Sequence, residues 1–187
     1  MKIETVKYVG LCFIVIALIV LNVNMFYRMF FAKNRLNPDY KKPVAVTNED
    51  ILRYADSVFV HGDSLTIIDD AIESNKQIIT EKEDTFGFSY IVNEPINCPS
   101  CSDINYLLFT DSEYTIRNII FLRDIIEDYK VVQLDSFGLI VNQFLQKNLI
   151  KDDFSSIQMI NKPKKYSKYF KESIIKVQEQ ARLFYEK

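Results

Sequence analysis

The sequence predicts an α+β protein: an antiparallel sheet with packed helices, preceded by one transmembrane helix. Three observations lead there. Residues 8–31 form an apolar run with a single charge, Arg28. Between residues 64 and 122, short β-branched and aromatic runs alternate with polar residues, the pattern of strands. Helical spacing of apolar residues flanks that block, at 47–59 and again from 135 to 185.

The apolar run, "YVGLCFIVIALIVLNVNMFYRMFF", is long enough to cross a hydrocarbon core of about 30 Å at about 1.5 Å per helical residue. Tyr8, Phe26 and Tyr27 lie near its ends, where amphipathic rings favour the interface, and Arg28 can snorkel to the headgroups. A cleaved signal peptide has a shorter apolar core followed by small residues, whereas this run ends in "MFYRMFFAK". Residues 1–33 are therefore expected to be an uncleaved anchor, with lipid as the partner of residues 8–31. Cys12 sits at the start of the run without the small-residue signature of a lipoprotein, and Asn22 and Asn24 read as polar residues tolerated near the interface. Lys2 and Lys7 precede the span, while Arg28, Lys33, Arg35, Lys41 and Lys42 follow it. Taken alone, the positive-inside rule would leave the larger domain in the cytoplasm.

Residues 34–47, with Pro38 and Pro43, read as a polar linker, and residues 48–187 as one domain. Thr47-x-x-Asp50 marks a helix start, followed by Ile51, Leu52, Ala55, Val58 and Phe59 at helical spacing. "SLTIIDD", "KQIITEK" and "FGFSYIV" are expected strands; "DINYLLF" and "TIRNIIFL", joined by "TDSEY", are an expected hairpin. From Asp135 the pattern turns helical, with Leu139, Ile140, Phe144 and Leu145 as its apolar positions and Asp135 or Ser136 as cap. Over residues 165–185, Phe170, Ile174, Val177, Ala181 and Phe184 make one apolar stripe, expected to pack on the sheet.

A net charge of −2 gives no basic excess to suggest a nucleic-acid partner. With 48% apolar and 13% aromatic residues the chain is not of disordered type. Four glycines are too few for a phosphate-cradling loop. His61-Gly62-Asp63-Ser64 brings three hydrolase-type residues together, but neighbours on one turn cannot form a relay. Asp69-Asp70 and Asp152-Asp153 read as surface turns or caps. No acid–base or nucleophile set marks the chain as an enzyme.

Chemistry concentrates in Cys98-Pro99-Ser100-Cys101. A thioredoxin-type pair opens a helix, whose N-terminus favours the thiolate; here the residues after Cys101 alternate as a strand, with neither Trp nor Gly-Pro nearby. A zinc site wants four ligands; the third cysteine lies in the apolar run and His61 is the only histidine, so four would require carboxylates from elsewhere. Heme c attachment needs His where Ser102 stands. A dithiol or disulfide at a strand edge remains, and so small a ring gains little chain entropy by closing. Cys98 and Cys101 are thus the expected redox residues.

The succession "GFSYIV", "CPSCSDINYLLFTDSEYTIRNIIFL", "DSFGLIVNQFLQKN" and "YSKYFKESIIKV" resembles the membrane-anchored FMN-binding domains. These are related to the flavin-carrying subunits of Rnf and sodium-translocating NADH–quinone reductase complexes. The similarity runs over residues 86–187. It implies an extracytoplasmic electron-transfer setting beside a membrane redox-complex subunit. In that family an Asp-x-[Ser/Thr]-Gly-Ala-[Thr/Ser] loop opens the last helix, and its threonine carries FMN as a phosphodiester. Here the corresponding loop is "QMINKPKKYS", residues 158–167, with Lys164 near the threonine position and Lys162-Pro163 in place of Gly-Ala. Lysine has no hydroxyl to esterify, so covalent flavin is not expected. The resemblance leaves non-covalent FMN at a degenerate loop of Asn161, Lys162, Lys164 and Ser167. Lys162, Lys164 and Lys165 at a helix start can attract phosphate, or form only a solvated basic turn. The expected function is that of an accessory or redox-associated electron-transfer protein using the cysteine pair. The alternatives are a non-catalytic assembly subunit of a membrane complex and a thioredoxin-like thiol–disulfide oxidoreductase.

Overall fold

A computed structural model describes residues 16–25, 38–59, 65–69, 75–81, 84–132, 134–159 and 164–185. The chain divides into two compact units, Met1–Leu36 and Asn37–Lys187. In the first, residues 16–25 are helical with their apolar side chains largely exposed. The rest of the expected anchor at 8–31, with Cys12, lies outside the described residues. Among the described residues no helix is long and apolar enough to cross a membrane.

The second unit is α+β. After a short 3-10 turn, Pro38–Lys41, come α1 (Asn48–Phe59), β1 (Leu65–Asp69), β2 (Lys76–Glu81), β3 (Asp84–Glu94), β4 (Ile104–Asp111), β5 (Ile116–Phe121), β6 (Ile126–Glu127), β7 (Lys130–Val131), α2 (Leu134–Val141) and α3 (Lys164–Tyr185). Strands β1 to β5 pair in chain order into one antiparallel sheet; β6 and β7 form a separate two-stranded ribbon.

Local chemistry explains the boundaries. Thr47 and Asp50 form a reciprocal cap at the start of α1: the Asp50 N–H donates to Thr47 Oγ1 at 3.2 Å and the Thr47 N–H to Asp50 Oδ2 at 3.1 Å. The β4–β5 turn is built on the Asp111 carboxylate, which accepts the N–H groups of Glu113 (3.0 Å) and Thr115 (2.8 Å) and pairs with Arg117. Of the helix expected from Asp135, α2 supplies only the first part. Successive i→i−3 bonds, Gln143 to Ile140 and Phe144 to Val141, then tighten the chain. It reverses at Gln146, where φ is 64°. Phe144 still reaches the core, whereas Leu139, an expected core position, is 63% exposed. Residues 38–44, expected as linker, lie against the sheet end: the Asp103 N–H donates to the Tyr40 carbonyl and the Val44 N–H reaches Asn93 and Asn105.

Both faces of the sheet are covered. Phe88, Tyr90 and Val92 of β3 join Tyr106 and Leu108 of β4 in a core closed by Phe137 and Ile140 of α2 and by Phe170, Ile174, Val177 and Ala181 of α3. The expected stripe of α3 is therefore buried against the sheet, except Phe184, whose side chain is outside the described set. Phe170 is the hub, with ring centroids 5.1 Å from Phe137, 5.3 Å from Tyr106 and 5.6 Å from Phe144. The opposite face packs Ile79, Leu107 and Phe109 under Ile51 and Ala55 of α1.

Gly87 makes this second layer possible. A Cβ there would lie 2.3 Å from the Thr110 carbonyl oxygen and 3.2 Å from the Phe59 ring. The nearer obstacle is backbone, which cannot swing aside. Gly138 in α2 has nothing within 4 Å of its own Cβ position. Gly87→Ala is therefore expected to cost about 1–3 kcal/mol through overpacking. Gly138→Ala should gain about 0.4–1 kcal/mol by restricting the unfolded chain. Paired urea-denaturation curves check both signs.

Candidate functional site

Cys98 and Cys101 are disulfide-bonded at the corners of a β-turn. The Cys101 N–H donates to the Cys98 carbonyl at 3.2 Å, closing the i→i+3 bond. Pro99 occupies the second turn position, where its fixed φ is already suitable. The chain leaves Cys101 through Ser102 and Asp103 directly into β4, so Cys101 does not open a helix. Cys101 is fully buried; Cys98 keeps partial exposure.

The two ends of the loop are tied together at its base. Asp103 Oδ1 accepts the Ile96 N–H at 2.9 Å and Lys41 Nζ at 3.0 Å, and the same ammonium donates to the Ile96 carbonyl at 2.7 Å. One residue past the cysteines, Ser102 is knotted to the β6–β7 ribbon. Its N–H donates to the Ile126 carbonyl at 2.9 Å, and its Oγ accepts the Ile126 N–H at 3.0 Å. The hydroxyl of Tyr166, from the first turn of α3, lies among the Ser102 and Ile126 carbonyls and Ser102 Oγ. Burial pushes the Tyr166 phenol well above the usual tyrosine value, which keeps it protonated and donating.

The tip of the ribbon lies over the disulfide. Asp128 and Tyr129 have φ of 48° and 64°, the left-handed geometry of a type I′ turn. Neither is glycine, so the tip stores strain of about 1–3 kcal/mol per residue. What holds it is the cysteine loop and α3. The Tyr129 N–H donates to the Ser100 carbonyl at 3.0 Å. Ser100 Oγ and Lys165 Nζ each reach Asp128 Oδ1 at 3.0 Å, and the Lys165 N–H donates to Glu127 Oε1 at 3.2 Å. Ser100 Oγ is also 3.3 Å from Cys98 Sγ. Asp128 is exposed, and the hydrogen bonds from Lys165, then Ser100, hold its carboxyl below the ordinary value of 3.8.

Of the residues expected to bind flavin, Asn161 and Lys162 lie outside the described residues, as do His61 to Ser64. Lys164 opens α3 and Ser167 is buried in its first turn. Lys165 already spends its N–H and its ammonium on Glu127 and Asp128. The start of α3 abuts the cysteine loop and its ribbon through Tyr166 and Lys165. Asp152 and Asp153 accept hydrogen bonds within their own turn, from the Asn148 and Ser155 N–H groups. Sequence reasoning did not single out Ser100, Ser102, Asp128 or Tyr166. No local signal marks them, since each acts through a partner distant in the chain.

The fold and site define an antiparallel α+β domain carrying a partly exposed disulfide at one sheet end. No protein-family model, curated protein or solved structure matches the chain.

Tyr166→Phe is expected to destabilise the domain by about 1–3 kcal/mol, the cost of leaving buried carbonyls without a donor. Amide exchange at Ser102 and Ile126 should accelerate more than exchange across β3. The folded value of Asp128 is depressed, so its contribution is complete above about pH 4 and fades as pH falls through the lowered value. In Lys165→Met the carboxyl titration followed by NMR should move up toward 3.8.

Proposed function

We propose that this chain is a membrane-tethered, extracytoplasmic redox protein that uses Cys98 and Cys101 as a dithiol–disulfide couple. Its scaffold, on this reading, is of FMN-binding type without the covalent flavin site. The carrying observation is the asymmetric disulfide, Cys98 partly exposed and Cys101 buried, on a loop that many other bonds hold in place. An incoming thiolate has one approach, at the Cys98 sulfur. A dithiol R(SH)₂ would form a mixed disulfide there and release Cys101 as a thiolate. The second thiol of R then attacks the mixed disulfide, so R leaves as its own disulfide. Two electrons and two protons pass to Cys98 and Cys101.

Other features support the setting. Disulfides persist in oxidising compartments, which favours an extracytoplasmic domain. The apolar run at 8–31 supplies the tether, and the order of strands, hairpin and helices suits the family resemblance. A membrane redox-complex subunit is then the natural partner. The flavin itself receives less support. Ser167 is buried and Lys165 is engaged by carboxylates, so the described part of the loop offers no phosphate cradle. The thioredoxin-like alternative loses its main physical support because Cys101 leads into a strand. With Cys101 buried and opening no helix of its own, the thiolate leaving group is disfavoured. The couple should accordingly lie on the reducing side of helix-capped pairs.

The test is a redox titration of the detergent-solubilised full chain carrying Cys12→Ser, with dithiol buffers of increasing strength. The expected result is reversible appearance of the Cys98 and Cys101 thiols while near-ultraviolet circular dichroism stays native. Thiols that appear only as the domain unfolds would overturn the reading. A Cys98→Ser chain that leaves its complex fully active would point instead to an assembly subunit.

A further inference from the structure

We propose that reduction turns the cysteine loop into a binding site for a zinc-class divalent ion, with the Cys98 and Cys101 thiolates and the Asp128 carboxylate as ligands and water in the fourth position. This rests on the preceding reading that the disulfide opens within the folded domain.

The two sulfurs and a carboxylate oxygen of Asp128 all lie within 4.8 Å of one another. In a tetrahedral site with Zn–S of about 2.3 Å and Zn–O of about 2.1 Å, ligand atoms stand roughly 3.5–3.8 Å apart. Once the sulfur–sulfur bond is gone, side-chain rotation can let the sulfurs part to that spacing and draw the carboxylate oxygen in. Cysteines separated by two residues are a common zinc chelate, and three protein ligands with one open position are a known arrangement.

Asp128 is placed for this by more than proximity. It occupies a left-handed position that ordinarily favours glycine (φ 48°), and non-glycine residues in such conformations collect at functional sites. Both of its side-chain hydrogen bonds, from Ser100 and Lys165, fall on Oδ1; Oδ2 accepts none among the described residues. A carboxylate oriented by outer partners with one oxygen to spare is the usual form of an oxygen ligand. Charge also balances. Two thiolates and a carboxylate around a divalent ion leave one negative charge, which the Lys165 ammonium offsets. Thiolate ligands select zinc-class ions over magnesium or calcium.

The sequence of events conserves electrons and protons. A dithiol reduces the disulfide as above; the ion then displaces one proton from each thiol. Reoxidation by the disulfide form of R, the reverse of that exchange, joins the two sulfurs, returns two electrons to R, which takes up two protons, and expels the ion, so uptake is gated by redox state.

The test uses the full chain in detergent with Cys12→Ser, reduced with a phosphine that is then removed, and titrated with Zn²⁺ against a chromophoric chelator. One ion per chain is expected, with release of two protons, whereas the oxidised chain should bind at least about 100-fold more weakly. Asp128→Asn should weaken binding by at least about tenfold, and Lys165→Met by about 10–100-fold as an outer-shell change. Because Asp128→Asn also touches the strained turn, ¹¹³Cd NMR of the reduced Cys12→Ser chain with Asp128 intact gives an independent readout: mixed sulfur and oxygen ligation supports the site. All-sulfur ligation, equal uptake by oxidised and reduced chains, or no uptake by a folded chain with both thiols free would overturn it. In that last case the redox couple survives and only the metal site falls. Failure to free the thiols without unfolding would sink both.

Discussion

The structure depends on burying β4 on both faces. From Ile104 to Thr110 every residue is buried, so the strand cannot follow the half-wet alternation of a simple antiparallel meander. Tyr106 and Leu108 need the cover of α2 and α3; Leu107 and Phe109 need α1. Of the polar side chains drawn in with them, Tyr106 is hydrogen-bonded, whereas Thr110 Oγ1 has no hydrogen-bond partner among the described residues. The Tyr106 hydroxyl meets Ser173 Oγ at 2.8 Å, and that serine in turn donates to the Phe170 carbonyl at 2.8 Å. Burial pushes the Tyr106 phenol far above its usual range, which leaves it a neutral partner in the core. A strand locked this way gives the residues at its head a fixed base, and those residues are the cysteine loop.

Three elements converge on that base. The chain before α1 contributes Lys41, the ribbon contributes Ile126 to Tyr129, and α3 contributes Lys165 and Tyr166. The Lys41–Asp103 pair is partly shielded, with Asp103 only 13% exposed, and it also satisfies the Ile96 backbone. It therefore acts as a clamp across the loop rather than as an isolated surface ion pair of small worth. The Asp128–Lys165 pair is more open, with both side chains at least half exposed, and its value lies in direction more than in strength.

What could be read from the sequence was local. The Thr47/Asp50 cap, the Asp111 turn and the stripe from Phe170 to Ala181 each involve residues a few positions apart, and each has its expected place. The hairpin following the cysteines was legible through period-two alternation. Failures began where distance along the chain took over. Tyr166 meets Ser102 across 64 residues, and nothing in "KYS" announces a buried donor. The Asp128–Tyr129 turn carries no glycine and so gave no turn signal at all. Leu139 matched the helical period but faces outward, because the tightening after Val141 swings Phe144 into the core in its stead. That a metal site would need carboxylates from elsewhere was legible, but not which ones, since Asp128 reaches the cysteine loop on a separate ribbon.

The same network decides what the disulfide is worth. Closing a ring of so few residues stabilises the folded chain by roughly 2 kcal/mol in the loop-entropy description. Each intramolecular hydrogen bond contributes about 1 kcal/mol, somewhat more when charged. Asp103 to Ile96, Lys41 to Ile96, Ser102 to Ile126 in both directions and Tyr129 to Ser100 together outweigh the covalent link. With the sulfurs apart, the loop would still be fastened by these neighbours, none of which changes with redox state.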